Sequence, residues 1–181
     1  MTLIYVTVLI LLAVWLFLKV IANYFNKKSR SSKWIEMYLL LRRHNPLYGY
    51  IYALANKDDK AVIANYRKAV KRPQLRKYYP LLTILFCFYF QSSKGVEDEI
   101  AKLNSDSNKC FFMQWLKISQ TNLEASLTPT PNRWMEEALF ALVERRRGRH
   151  DNANRHLLKA RNHSAGIVYY ILDKERMIAN P

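Results

Sequence analysis

Apolar residues run from Leu3 to Leu18 without a charge, and the run continues past Lys19 to about Phe25. Basic residues follow at once: Lys27, Lys28, Arg30 and Lys33. About 20 apolar residues are enough for a bilayer-spanning helix, and cations concentrated on one flank orient such a helix with that flank in the cytoplasm. The pattern therefore predicts a transmembrane anchor over 1–25, carried by Leu3, Ile4, Leu9, Leu12, Trp15, Phe17 and Val20. A basic juxtamembrane linker over 26–33 and a cytoplasmic helical domain over 34–181 would follow, with the N-terminus outside. A secretory signal peptide is the competing reading, since Val20 and Ala22 suit a cleavage site. The missing basic start and the length of the apolar run argue against it.

Beyond residue 33 the apolar spacing changes to three and four, the period of a helix with one buried face. Ser31 or Ser32 caps a predicted helix through Trp34, Ile35, Tyr38, Leu39 and Leu41. Asn45-Pro46 opens a second, because proline at a first helical position removes only a donor that has no partner there. Lys57-Asp58-Asp59 turns the chain into a third, with Ala61, Val62, Tyr66, Ala69 and Val70 on one face. Pro73 opens a helix through Tyr89, and Val96, Ile100 and Leu103 mark its return partner. The run Leu81 to Phe90 is apolar on nearly all sides and too short to span a bilayer, which predicts a central buried helix. Further helices pass through Phe111 to Leu123, Trp134 to Leu142, Ala153 to Ala160 and Ala165 to Ala179, with a Pro-rich link at Leu127 to Pro131. The expectation is an all-α array of helical hairpins, about seven or eight helices behind the anchor.

Ala141, Ala153 and Ala160, with Leu157 at a bulky position, have the spacing of the small residues through which paired helices approach closely. This resembles the second half of a tetratricopeptide repeat, and Val62, Tyr66 and Ala69 resemble the latter half of the same pattern. The likeness covers about a third of the chain; the first-helix signature is poor around Tyr48 to Leu54, and the hairpin at Val96 lacks the alanines. It implies a degenerate repeat that binds other proteins, with the terminal segment as the end cap of a solenoid.

Composition supports helices: half of the residues are hydrophobic, and only 4 Gly and 6 Pro leave few turns for an all-β fold. Cys87 and Cys110 have no ligand spacing and read as buried free thiols. The net charge is +15, and only Lys19 falls within 1–25, so the rest of the chain carries +14. Such an excess attracts anionic lipid, acidic protein or nucleic acid. The first two rank above the third, because no recognition motif is present and no aromatic residues are interleaved with the cations.

No phosphate-binding glycine loop, serine elbow or HExxH occurs, so no catalytic residue or cofactor site is expected. His150, His156 and His163 sit among arginines that would repel a metal ion, and no metal site is expected there. Two basic clusters carry more information: Arg67, Lys68, Lys71 and Arg72, and Arg145, Arg146, Arg147 and Arg149. If successive hairpins stack in register, the clusters would line one edge as a strip suited to acidic peptide or lipid phosphate, with Tyr48, Tyr50 and Tyr52 as further contacts. The expected function is a scaffold that recruits an unidentified protein, acidic or not, to the membrane bilayer. A structural subunit of a larger membrane complex and a tethered nucleic-acid binder are the alternatives.

Overall fold

The computed structural model describes residues 2–120 and 128–179, with side chains for 14, 16–120 and 128–175. Ten α-helices lie among them: α1 (Thr2–Lys27), α2 (Ser32–Leu41), α3 (Pro46–Ala55), α4 (Asp59–Val70), α5 (Tyr79–Tyr89), α6 (Val96–Ala101), α7 (Asp106–Gln120), α8 (Arg133–Arg146), α9 (His150–Asn162) and α10 (Gly166–Ala179).

Local chemistry sets most of these boundaries. Asn45 accepts the Leu47 N–H at 3.0 Å and Pro46 occupies the first turn, so α3 starts where a donor is dispensable. Asp58 caps α4 through the Ala61 N–H at 3.0 Å, after Lys57 takes a left-handed φ of 55° to close the turn. The expected helix from Pro73 to Tyr89 divides. Pro73–Tyr78 is a 3-10 segment, and α5 begins only at Tyr79, one residue before Pro80. Pro80 has no N–H to donate to the carbonyl four residues back, so the α-helical hydrogen-bond ladder cannot run through this point unbroken, although Tyr79 itself keeps helical backbone at φ -54°, ψ -46°. Ser31 makes no side-chain cap on α2; Ser32 instead donates from Oγ to Asp173 of α10 at 2.5 Å.

Consecutive helices pack in pairs, and the apolar interior is a chain of four clusters. The first joins α2, α3 and α10 around Ile35, Leu39 and Tyr170; the second joins α3, α4 and α5 around Tyr50, Val62 and Leu82. The third joins α5 to α8 around Ile84, Phe111 and Leu139, and the fourth joins α8, α9 and α10 around Ala141, Leu157 and Leu172. Helix α5 is shared: Leu82, Phe86 and Tyr89 face the second cluster, while Leu81, Ile84 and Phe88 face the third. Its nearly continuous apolar sequence follows from burial on two sides.

The expected solenoid cap takes another form. Val168 and Leu172 of α10 cover the α8–α9 pair, whereas Ile167, Tyr169, Tyr170 and Ile171 face α2 and α3. Two apolar faces on one helix join the last pair to the first, so the array closes on itself. Polar contacts fasten the closure: Arg161 Nε lies 2.7 Å from Asp173, Lys174 lies 2.9 Å from Glu36, and Lys57 pairs with Glu175.

Helix α1 overturns one expectation. Among the described residues no helix is long and apolar enough to cross a membrane. The expected transmembrane anchor, and with it the single-pass membrane placement with the N-terminus outside and a cytoplasmic domain, is not supported. The end of the expected span serves the domain instead. Ala22 and Phe25 pack into the α2–α3–α10 cluster, Phe25 stacking on Tyr38 at 5.2 Å between ring centroids. Just beyond, the Gly166 N–H donates to the Ser29 carbonyl at 2.6 Å, and a Cβ on Gly166 would meet the Asn26 carbonyl at 2.1 Å. Phe17 and Val20 are exposed, while the side chains of Leu3, Ile4, Leu9, Leu12 and Trp15 lie outside the described residues.

Candidate functional site

Antiparallel pairing of α3 and α4 brings the start of α3 beside the end of α4. Gly49 makes the approach possible, because a Cβ there would stand 2.7 Å from both the Arg43 carbonyl oxygen and Asn65 Oδ1. Ala53 and Ala69, both fully buried, complete the seam. The turn Arg42-Arg43-His44-Asn45 therefore meets the α4 terminus, and a shallow cleft of about 430 Å³ lies between them, lined by Asn45, Arg72, Gln74 and Leu75.

This end of the molecule carries uncompensated charge. Arg67, Lys68, Lys71 and Arg72 are exposed, and none has an ion-pair partner among the described residues. The sequence explains why: no Asp or Glu occurs from Lys60 to Val96. The nearest acids on the hairpin, Asp58 and Asp59, lie at the far end of α4, about 18 Å away for twelve residues at 1.5 Å each. Arg67 and Lys68 face the negative end of the α4 dipole, a small stabilisation that leaves their outward donors available.

Aromatic groups hold the neighbouring backbone and Arg42 in place. Tyr79 donates to the Arg72 carbonyl at 2.6 Å. The Arg42 guanidinium stands 5.3 Å from the Tyr38 ring and 5.8 Å from the Tyr48 ring, within cation–π range. Burial, together with the hydrogen bond to Tyr48 at 3.3 Å, raises the Tyr38 phenol well above its ordinary range, so it stays neutral beneath that cation. The Arg72 guanidinium, lining the exposed cleft, offers paired donors to a carboxylate.

The second basic cluster is arranged differently. Arg145 lies 3.7 Å from Glu175, and Arg146 donates to the Ile118 carbonyl. Arg147 and Arg149 both reach Glu144, at 3.3 and 3.5 Å. The Glu144 carboxyl is held below its ordinary value, first by the Asn152 hydrogen bond and then by Arg149 and Arg147. These arginines stitch the α8–α9 turn. Glu175 pairs with Lys57 as well as Arg145, which puts the second cluster at the α3–α4 turn, the end of α4 opposite Arg72. The two clusters consequently do not form one strip.

The tyrosines expected as contacts are largely structural. Tyr50 is fully buried and donates to the Leu82 carbonyl at 2.9 Å, with burial raising its phenol far above the ordinary range. Tyr48 and Tyr52 pack against the α2–α3–α10 cluster. His156 Nδ1 lies 2.6 Å from Glu137 Oε2, between α9 and α8. Among the described residues no group of three or more His, Cys, Asp or Glu could hold a metal. Residues Arg42, Arg43 and Asn45 join the first cluster only through the fold; antiparallel pairing of the helices on either side of Lys57 was the signal for it.

No family model matches the chain, and none of the curated proteins or solved structures compared with it is similar to it.

Proposed function

We propose that the chain is a helical-hairpin interaction module that docks an acidic segment of a partner protein on the basic end of the α3–α4 pair. The observation that carries this reading is the set Arg67, Lys68, Lys71 and Arg72, exposed and without acidic partners among the described residues, beside the turn that holds Arg42 and Arg43. Small residues along two seams, Gly49, Ala53 and Ala69 in one and Ala141, Ala153 and Ala160 in the other, favour kinship with tetratricopeptide hairpins, a class in which packed pairs present binding surfaces.

The test is titration of the full chain with a fluorescent polyglutamate peptide. The combined substitution Arg67→Glu, Lys71→Glu and Arg72→Glu lowers affinity by roughly a hundredfold, following the coupling energies of close charge pairs. Arg145→Glu with Arg147→Glu changes it by less than about threefold, because these side chains are engaged internally. Equal losses from both sets would reject the assigned surface. Tighter binding of a single-stranded oligonucleotide than of the peptide at matched salt would favour the nucleic-acid reading. A second reading, a structural subunit of a larger assembly, draws on the exposed Val14, Leu16, Phe17, Leu18 and Val20 of α1. It requires a stoichiometric complex that persists through gel filtration from the native source.

A further inference from the structure

Helix α2 is apolar on both sides. Its inner face, Ile35, Tyr38 and Leu39, is buried against α3 and α10. Its outer face is Trp34, Met37, Leu40 and Leu41, with exposures of 55, 43, 41 and 74 %. Positions 34, 37 and 41 follow the i, i+3, i+7 spacing that aligns side chains along one face, with residue 40 beside them. A helix apolar all round is ordinarily covered on all sides, and a contiguous exposed apolar patch marks an interaction site.

The charges around the stripe specify what covers it. Lys33 stands beside Trp34 at its start, and Arg43, exposed, follows Leu41 at its end, leading to the cleft beside Arg72, while the Arg42 guanidinium is turned inward onto Tyr38 and Tyr48. The only acid on α2, Glu36, is turned to Lys174 at 2.9 Å. An outer face with cations at both ends and no free carboxylate complements an apolar helix flanked by acids. A second copy of this chain would bring cations against cations.

We propose that the outer face of α2 binds an amphipathic helix of a partner protein, its apolar side on Trp34, Met37 and Leu41 and its acidic flanks on Lys33 and Arg43. This is the helix-in-groove mode of recognition, in which a few aligned anchors carry the affinity and charge sets the orientation. The inference rests on the acidic-partner reading above and adds the conformation and apolar content of the ligand.

The experiment measures the affinity of the full chain for a roughly 18-residue amphipathic peptide, long enough to form a helix, with one leucine face and glutamates on both flanks. A scrambled peptide of the same composition and polyglutamate serve as controls. Trp34→Ser with Met37→Ser and Leu41→Ser lowers affinity for the amphipathic peptide by roughly tenfold or more and leaves polyglutamate unchanged. Met37→Glu alone, a solvent-facing change that adds repulsion, gives a smaller loss in the same direction. Arg43→Glu with Arg72→Glu weakens both peptides. Unchanged affinity in the serine variant, or equal binding of the scrambled peptide, overturns the inference while leaving the acidic-partner reading intact; unchanged affinity of both peptides in the charge variant overturns both. Stripe-dependent binding to anionic phospholipid vesicles without preference for the amphipathic peptide, or stripe-dependent self-association, also overturns it.

Discussion

The α3–α4 and α8–α9 hairpins share a construction and differ at their basic ends. Each closes on small residues, Gly49, Ala53 and Ala69 in one and Ala141, Ala153 and Ala160 in the other, so that backbones approach where larger side chains would separate them. Each also carries a run of cations at a helix C-terminus. Around α8–α9 those cations find Glu144, Glu175 and the Ile118 carbonyl, whereas around the end of α4 they find no acid among the described residues. Cation-rich sequence alone therefore does not identify a binding surface. The local supply of internal acceptors separates charge that holds the fold from charge left for a partner.

The largest test of this contrast lies in the lock behind α8–α9. Asp173, almost fully buried, meets Arg161 and Ser32, and Asp173→Ala leaves the guanidinium without its counterion. Denaturant unfolding is expected to show a loss of about 3 kcal/mol, the range for breaking a buried pair by removing one partner. Leu157→Ala, in the α8–α9–α10 cluster, costs about 2 to 3 kcal/mol by leaving a cavity, measured in the same way. On the other hairpin, Gly49→Ala sets a Cβ against the Arg43 carbonyl and costs about 1 to 2 kcal/mol despite the better helix propensity of alanine. An unchanged or raised melting temperature would show that the turn can yield there.

Charge changes at the two ends should then diverge. Arg145→Glu sets a carboxylate against Glu175 and lowers stability by up to about 1 kcal/mol, a surface-pair magnitude. Arg72→Glu leaves stability within about 0.5 kcal/mol and acts on binding alone. The smallest effect concerns pH. Because Glu144 titrates below its ordinary 4.5 in the folded chain, its contribution is fully present above that value and fades as pH falls through the lowered one. Glu144→Gln should flatten the acid limb of the stability curve relative to the parent chain, while Arg72→Glu leaves that limb's shape unchanged.

Much of the helical layout was legible in the chain. Asn45-Pro46 and Asp58 mark helix starts through chemistry confined to a few residues, and the spacing of Ala153, Leu157 and Ala160 shows which face of α9 is buried. The division at Tyr79 was legible as well, in Pro80, but the apolar run through Leu82 and Phe86 masked it. The N-terminal run misled for a related reason. Hydropathy registers Ala22 and Phe25 as apolar and cannot tell a lipid-facing residue from one packed on Tyr38. Half of the candidate surface was readable as Arg67 to Arg72; Arg42, Arg43 and Asn45 came to it only through the antiparallel pair.

The sequence by itself determined that the chain is helical, where most helices begin, and that positive charge exceeds negative by fifteen, because periodicity, capping and composition are local or additive properties. Tertiary structure alone decided that α10 joins the last pair to the first, that the arginines near Gly148 are internally paired, and that the outer face of α2 stands uncovered. Ion pairing and burial depend on distances between residues far apart along the chain, and a linear pattern carries no such distances.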